Sequence, residues 1–371
     1  QYSNPAYYLK YTSDLFETKW LNNKTYPLED GYRYRKYKEQ KVNVEADFEY
    51  KLDIHSFLIG LYTQQTKILK DETYRNYVFN EGLTDGFYYY DKLLNRPENP
   101  EDRTQKAVFF QDYVDITDWL SLTIGARYDD FSDIGNELSP RLATVFRIDD
   151  INILKFQISR AFRPPTFYEN YGYMSLNKLN PETVDTIETS YIYNDKTKTF
   201  RVTLFDSNIK NMITQDYSSY YFINLKDEAK LSGVELEFKM LADFAEFGIN
   251  SAFYNSKNRQ TGNEFALSAS YMGNIFLTFN PKSDYSTSFW YRYISKKPRL
   301  EDSSNGYIPA QDYLNITQAF ENIVKNGDLH VGVRNIFDEV QTTLYAPLNP
   351  QNYDDIPYMR RSFWINFSYR F

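Results

Sequence analysis

Cysteine is absent from all 371 residues. That excludes thiolate metal centres, cysteine nucleophiles and disulfide staples, and it suits an oxidising compartment without proving one. Histidine is nearly absent too: His55 and His330 are the only two, too far apart in sequence for either to read as a metal site. No run approaches the ~18 uninterrupted apolar residues that a membrane-crossing helix requires. The most apolar stretch, 120–126, is broken by Ser121, Thr123 and Gly125, so helical insertion is excluded.

Positive charge is in short supply, with Lys+Arg 42 against Asp+Glu 50 and a net charge of -8. This balance argues against a nucleic-acid partner, whose phosphates demand a basic face. There is no Ser-His-Asp set, Gly-rich phosphate loop or His/Cys metal spacing, so no enzyme, cofactor or metal is expected. Gln1-Tyr2-Ser3 opens without the basic and apolar regions of a secretion signal and reads as a cut or processed end. No composition shift or linker divides the chain, so one architecture has to absorb all of it.

Aromatic residues, by contrast, are abundant. Tyr 36 and Phe 28 bring the aromatic share to 18%, yet the mean hydropathy is -0.63. A soluble core seldom combines the two. A membrane barrel does, because alternate residues of each strand face lipid and lumen and aromatic girdles mark both interfaces.

Strict alternation supports that reading. Val42, Val44, Ala46, Phe48 and Tyr50 oppose Asn43, Glu45, Asp47, Glu49 and Lys51, one face greasy and the other nearly all charge. Leu120, Leu122, Ile124, Ala126 and Tyr128 oppose Ser121, Thr123, Gly125 and Arg127, while Phe363, Ile365, Phe367, Tyr369 and Phe371 oppose Trp364, Asn366, Ser368 and Arg370. Weaker copies lie around Phe156, Val202, Leu236, Phe289 and Val331. The expectation is an all-β, antiparallel up-and-down transmembrane barrel wall of about sixteen strands, each of roughly ten residues, enough to span a tilted path through a bilayer.

Connection lengths alternate as well. Short links are expected near Asp53, Asp118, Asp149, Asp195, Asp243, Lys282 and Asn326, and longer ones over about 19–39, 67–104, 131–137, 163–183, 257–263, 296–309 and 339–360. Only the connection near Tyr217 to Ser219 breaks the order. With short turns on the periplasmic side and long loops outside, Phe371 ends the last strand at the periplasmic face and the first strand, near 6–18, runs outward.

Motifs narrow the choice. Gly125-Ala126-Arg127-Tyr128-Asp129 is followed by Leu138-Ser139-Pro140-Arg141, then Ser159-Arg160-Ala161-Phe162-Arg163-Pro164-Pro165-Thr166, Leu179-Asn180-Pro181-Glu182-Thr183 and Glu188. Phe205, Ile209-Lys210-Asn211-Met212-Ile213, the Asn224 segment, Gly233-Val234-Glu235-Leu236-Glu237, Val333-Arg334-Asn335-Ile336-Phe337-Asp338 and Phe371 continue the series. In order and spacing this resembles the TonB-dependent outer-membrane receptors, over roughly 104–371. Arg360-Arg361 stands where that family often has Gly-Arg.

The resemblance implies the C-terminal part of a 22-stranded barrel in the bacterial outer membrane, importing a scarce ligand of the ferric siderophore, haem or cobalamin class. It also implies an N-terminal plug and a TonB-contacting segment, for which no pattern is visible, so the TonB complex would act through a plug not seen in this chain. Further implied partners are outer-membrane lipid, the barrel-assembly machinery and a small-molecule ligand.

Ligand capture is expected at outer-loop aromatics, namely Tyr88, Tyr89 and Tyr90, Tyr168, Tyr171 and Tyr173, and Tyr217, Tyr220 and Tyr221; interfacial girdle positions are the competing reading for each. Glu45, Asp47, Glu49, Lys51 and Arg127 are expected to face the lumen, hydrated or salt-linked. Pro164-Pro165 read as a stiff bend after Arg163 rather than a binding site. Phe367, Tyr369 and Phe371 resemble the terminal signal that assembly machinery reads. Two other functions compete: a passive porin of about sixteen strands, separable by a stable open conductance, and a soluble β-rich binding protein whose aromatic faces would meet in a dry core.

Overall fold

The computed structural model describes residues 7–11, 31–78, 82–91, 102–172, 175, 178–216, 219, 221–281, 283–299, 306–340, 342–343, 356–357 and 360–371. The chain begins with β1 (Tyr7–Tyr11), β2 (Gly31–Leu52), β3 (His55–Val78), β4 (Gly82–Asp91), β5 (Asp102–Thr117), β6 (Leu120–Phe131), β7 (Gly135–Arg147) and β8 (Asn152–Arg163). One helical turn, α1 (Phe167–Tyr171), precedes β9 (Glu182–Asn194) and β10 (Lys198–Lys210). There follow β11 (Ile213–Gln215), β12 (Phe222–Asn224), β13 (Ala229–Leu241), β14 (Ala245–Asn258), β15 (Tyr271–Phe279) and β16 (Tyr285–Ile294). Last come β17 (Lys297–Pro298), β18 (Tyr307–Ile308), β19 (Gln311–Val324), β20 (Gly327–Arg334), β21 (Thr342–Thr343), β22 (Ile356–Pro357) and β23 (Ser362–Tyr369).

Seventeen strands share one antiparallel sheet, and fifteen of them form its up-and-down wall. The other two lie at the outer end: β1 pairs with the tip of β2, and β4 lies along the tip of β3, end to end with β5. β2 and β3, at 22 and 24 residues, run well beyond the roughly ten that cross a bilayer. Among the described residues no ladder joins β23 to β2.

Ladder register carries the two-residue alternation around the whole wall. Directly opposed residues share a face, so Asp47, Gly60, Phe109, Arg127 and Ser139 form one row on the polar side. Phe48, Ile59, Phe110, Ala126 and Pro140 form the adjacent row on the apolar side. Val44, Phe48 and Phe367 are 62%, 64% and 56% exposed, and only nine apolar residues are buried among those described. The greasy ribbons therefore do not meet in a dry interior, which removes the soluble alternative; they present a continuous apolar surface of the kind a bilayer covers.

Packing on the lumen side leaves room for flat rings. Gly60 sits opposite Phe109 and Gly248 opposite Phe276, each ring lying over the glycine where a Cβ would collide. This pairing lets a bulky aromatic lie against the wall instead of filling the bore.

Six of the seven expected periplasmic links are tight turns, and the Lys282 of the seventh lies outside the described residues. Three use a left-handed Asp or Asn, at Asp53 (φ 49), Asn280 (φ 51) and Asn326 (φ 63), conformations these side chains tolerate. Asp149 accepts the backbone N–H groups of Ile151 and Asn152, and Asp195 those of Thr197 and Lys198. On the outer side the length pattern departs from expectation at a different place. Residues 132–134 make a tight turn where a longer loop is expected, whereas Ser219 lies within a long outer connection, 211–228, that carries the β11–β12 hairpin. The interruption near 217–219 is thus internal to one loop.

Candidate functional site: the outer rim and the polar lumen wall

At the outer ends of β5 to β10, residues remote in sequence converge. Arg103, at the start of β5, is 10% exposed in its side chain and forks onto Asp133, itself 5% exposed, at 2.8 Å. Its remaining donor reaches the Pro165 carbonyl at 2.9 Å, and its plane lies over the Phe167 ring. Tyr171 donates to the same Asp133 carboxylate at 2.8 Å. Burial, reinforced by that carboxylate, pushes the Tyr171 phenol up to about 12, so it stays a donor. The tight 132–134 turn is what delivers Asp133 to this position.

A second clamp sits beside the first. Arg163, the last residue of β8, pairs with both Glu182 and Glu169. Glu169 also closes a capping box with Thr166 at the N-terminus of α1. The other Glu182 oxygen accepts the Ile213 N–H at 2.6 Å. Asn224, in β12, holds both sides of the gap: its oxygen accepts the Asn180 N–H and its amide donates to the carbonyls of Asn180 and Asn211. The loop after β8, the start of β9 and the β11–β12 hairpin are thereby tied together.

At the outer ends of β20 and β23 the same device recurs. Asn335 adopts φ 53 and braces Glu339 through both side-chain atoms, while Asp338 accepts a bidentate fork from Arg360 and the Arg361 N–H. Those bonds hold the Asp338 carboxyl well below the usual carboxylate range. Arg360-Arg361, the departure from the usual Gly-Arg, works here as a loop anchor.

The lumen wall below the rim is polar and hollowed. A cavity of about 590 Å³ lies against β8 to β16, lined by Lys155, Glu188, Arg201, Glu235, Glu237 and Arg292 among others. Arg201 meets Glu237 at 3.4 Å, and the Arg292 Nε has no partner. Hydroxyl pairs, Ser190 with Thr203 and Thr186 with Ser207, both at 2.9 Å, line the same face. Such a surface can hydrate or bind a polar occupant.

The expected residues fall into distinct settings. Arg127 faces the lumen, pairs with the fully buried Asp129 at 2.9 Å and stacks between Tyr62 and Phe109. Glu45, Asp47, Glu49 and Lys51 share that face, but their partners across β3 are Tyr62, Gly60, Leu58 and Ser56, so they are exposed and form no salt link among the described residues. Tyr168 packs edge-on against Phe222 and Tyr171 is tied to Asp133, which makes both part of the rim framework. Tyr221 is half-buried beside the β11–β12 hairpin. Tyr88, Tyr89 and Tyr90 lie in β4, of whose side chains nothing is described, and Tyr173, Tyr217 and Tyr220 lie outside the described residues. Phe367 and Tyr369 point outward on β23, with Phe371 just past its end.

Sequence reading missed Arg103 and Asp133 as a pair, because 30 residues separate them and neither belongs to a quoted motif. It also missed the lumen set on β9, β10 and β13, although the alternation of Glu235 and Glu237 carried that signal.

Comparison with known proteins adds a family. The model of the TonB dependent receptor-like β-barrel matches residues 1–336. The ferrienterobactin receptor of Escherichia coli K12 is 24% identical over 273 residues, 63% of this chain and 36% of its own length. Among solved structures, a variant ferric enterobactin receptor of Pseudomonas aeruginosa in complex with enterobactin superposes with a TM-score of 0.68 at 17% identity, covering 91% of this chain and 58% of that one. The copper transporter OprC superposes at 0.71 with 15% identity, covering 92% and 57%. The chain thus spans about a third of the length of this curated relative.

Proposed function

Because this chain belongs to the TonB-dependent receptor β-barrel family of the bacterial outer membrane, we propose that it forms much of the wall of an active importer for a scarce ligand of the ferric-siderophore type. The observation that carries this reading is the double character of the wall. An apolar outer face backs a hollowed, polar lumen face, and the outer connections are tied together by the Arg103–Asp133 and Arg163–Glu182 clamps. A rigid rim of this kind holds loops where a ligand arrives from outside.

In this reading the outer-loop tyrosines divide by role. Tyr168 and Tyr171 support the loops; Tyr88, Tyr89, Tyr90, Tyr173, Tyr217, Tyr220 and Tyr221 are the capture candidates. A plug seated against the polar lumen face couples the receptor to the TonB complex, with Arg127, Glu45, Asp47, Glu49 and Lys51 among the groups it meets. Phe367, Tyr369 and Phe371 serve recognition by the barrel-assembly machinery. The relatives and neighbours carry the names of receptors and of a transporter.

The test is uptake of radiolabelled ferric catecholate by cells carrying the native-length protein, with and without an energised inner membrane. Energy-dependent accumulation lost on deleting the gene is the expected result. A steady ohmic conductance in planar bilayers together with energy-independent uptake would establish the passive porin instead.

A further inference from the structure

On the lumen side of the last five wall strands, β15, β16, β19, β20 and β23, the arginines stand without counter-ions. Ladder register puts Asn274, Arg292 and Tyr313 in one row, Phe276, Trp290 and Asn315 in the next row inward, and Thr317, Gly332 and Trp364 in the row after that. Arg334, two residues outward of Gly332, shares their face. Arg292 reaches the Tyr313 hydroxyl at 3.4 Å, and the Arg334 guanidinium lies 5.6 Å from the centroid of the Trp364 ring. Neither forms an ion pair among the described residues, whereas Arg127, Arg201 and Lys239, on the same side of earlier strands, each meet a carboxylate. These five strands turn no carboxylate to the lumen until Glu321 and Asp328, near His330 at the periplasmic end.

The rings of this arc leave the bore open. Phe276 and Trp364 lie over Gly248 and Gly332, where a Cβ would collide, and Trp290 packs edge-on against Tyr313 at 5.3 Å. Arg334 is exposed, and Arg292 lines the cavity of about 590 Å³. Rings laid against the wall and interleaved with guanidinium groups match a solute that carries both planar rings and negative charge. Each ring offers stacking area, and each guanidinium a charge-assisted hydrogen bond. β2 presents the contrary surface, with Glu45, Asp47 and Glu49 exposed on the lumen side. The lumen face therefore attracts an anion along one arc and repels it along another.

We propose that the arc from Arg292 down to Trp364 is a transit site for an anionic ligand with planar aromatic rings, occupied between capture at the rim and release into the periplasm. The rings of the ligand stack on Trp290 and Trp364 while Arg292 and Arg334 hold its anionic oxygens. The inference rests on the import reading and adds to it the charge and ring character of the cargo, together with a second place on the wall where the cargo is held.

In cells carrying the native-length protein, radiolabelled ferric tris-catecholate is followed in two assays: equilibrium surface binding without an energised inner membrane, and initial uptake rate with one. Arg334→Gln is expected to lower the maximal uptake rate about fivefold at unchanged surface affinity, the Arg292→Gln/Arg334→Gln pair to lower it further, and Arg334→Lys to keep most of it. A photo-crosslinking residue at Thr317, opposite Gly332 on the lumen face, should capture the chelate during energised uptake, and one at Asp47 should not. The exposed Arg334 has no ion pair to lose, so its single substitution leaves a folded protein to test even where the double one does not assemble. An unchanged rate in Arg334→Gln, a loss of surface affinity equal to the loss of rate, or equal capture at Asp47 and Thr317 overturns the proposal. Permeability to a large antibiotic gained in Arg334→Gln, with no capture at Thr317, overturns it in favour of a plug contact. Absence of energised uptake by the parent overturns the import reading and this inference with it, whereas normal parental uptake without capture at Thr317 overturns the inference alone.

Discussion

The two ends of the wall close by opposite means. On the periplasmic side each pair of strands is joined by its own few residues, and the groups that satisfy a turn, such as Asp149 with Ile151 and Asn152, are neighbours in the chain. On the outer side the satisfying groups come from far away: Arg103 needs Asp133 and Pro165, and Asn224 needs Asn180 and Asn211. Long loops cannot pair their own backbone, so they borrow partners from each other, and they are held only when several are in place together. Local closure is robust to single changes; remote closure is cooperative.

That contrast is open to attack by substitution, beginning where the effect is largest. Asp133→Ala leaves the nearly buried Arg103 guanidinium without its carboxylate, and a cost of about 3–5 kcal/mol is expected, read as a drop in the urea midpoint of the folded, heat-modifiable form. A cost no greater than that of altering a periplasmic turn would erase the distinction between the ends.

Asn224→Ala removes three hydrogen bonds from a half-buried position and should cost about 1–3 kcal/mol. Its signature is spatial: hydrogen exchange should quicken in β11–β12 and at the start of β9, while the 194–198 turn stays unchanged. Exchange that quickens evenly along the chain would show that the rim is not a cooperative unit.

Tyr171→Phe loses one charge-assisted bond, about 1 kcal/mol. Because the folded phenol titrates near 12 and the unfolded one near 10, the contribution is complete below pH 10 and disappears as the pH climbs through 12. The variant should therefore lose less stability than the parent over that interval; identical alkaline limbs would argue against the Asp133 contact.

The smallest effect is expected at Asp195→Asn. Bonds from Tyr193 and from the Thr197 and Lys198 N–H groups hold its carboxyl below the ordinary value. The stability it lends is present above about pH 4 and fades as the pH falls through the lower folded value, so the substitution should slightly flatten the acid limb and little else. A loss comparable to Asp133→Ala would mean that periplasmic turns are not self-sufficient.

How far each end could be read beforehand follows the same division. Periplasmic turns were legible because Asp, Asn and Lys clusters between alternating runs carry their mechanism locally. Lumen and lipid faces were legible because a two-residue period admits a single solution once one face is apolar. The rim motifs were visible as a family resemblance, yet their use was not: Arg163 and Pro164-Pro165 looked like a bend, and only the folded chain shows Arg163 bridging two glutamates and Pro165 accepting from Arg103. Glu45, Asp47, Glu49 and Lys51, expected to be hydrated or salt-linked, are exposed and form no salt link among the described residues, because β3 offers neutral residues opposite each of them.

The alternation written into each strand decided by itself that this chain would build an antiparallel wall with a greasy and a polar side, since side-chain direction in a strand follows position alone. Which distant residues would meet at the outer rim, and which lumen charges would find partners, depended on neighbouring strands and loops arriving at a common height. Only the tertiary structure decided those matters, because a hydrogen bond or ion pair across 30 or 40 residues is a property of register and loop path, neither of which any single segment encodes.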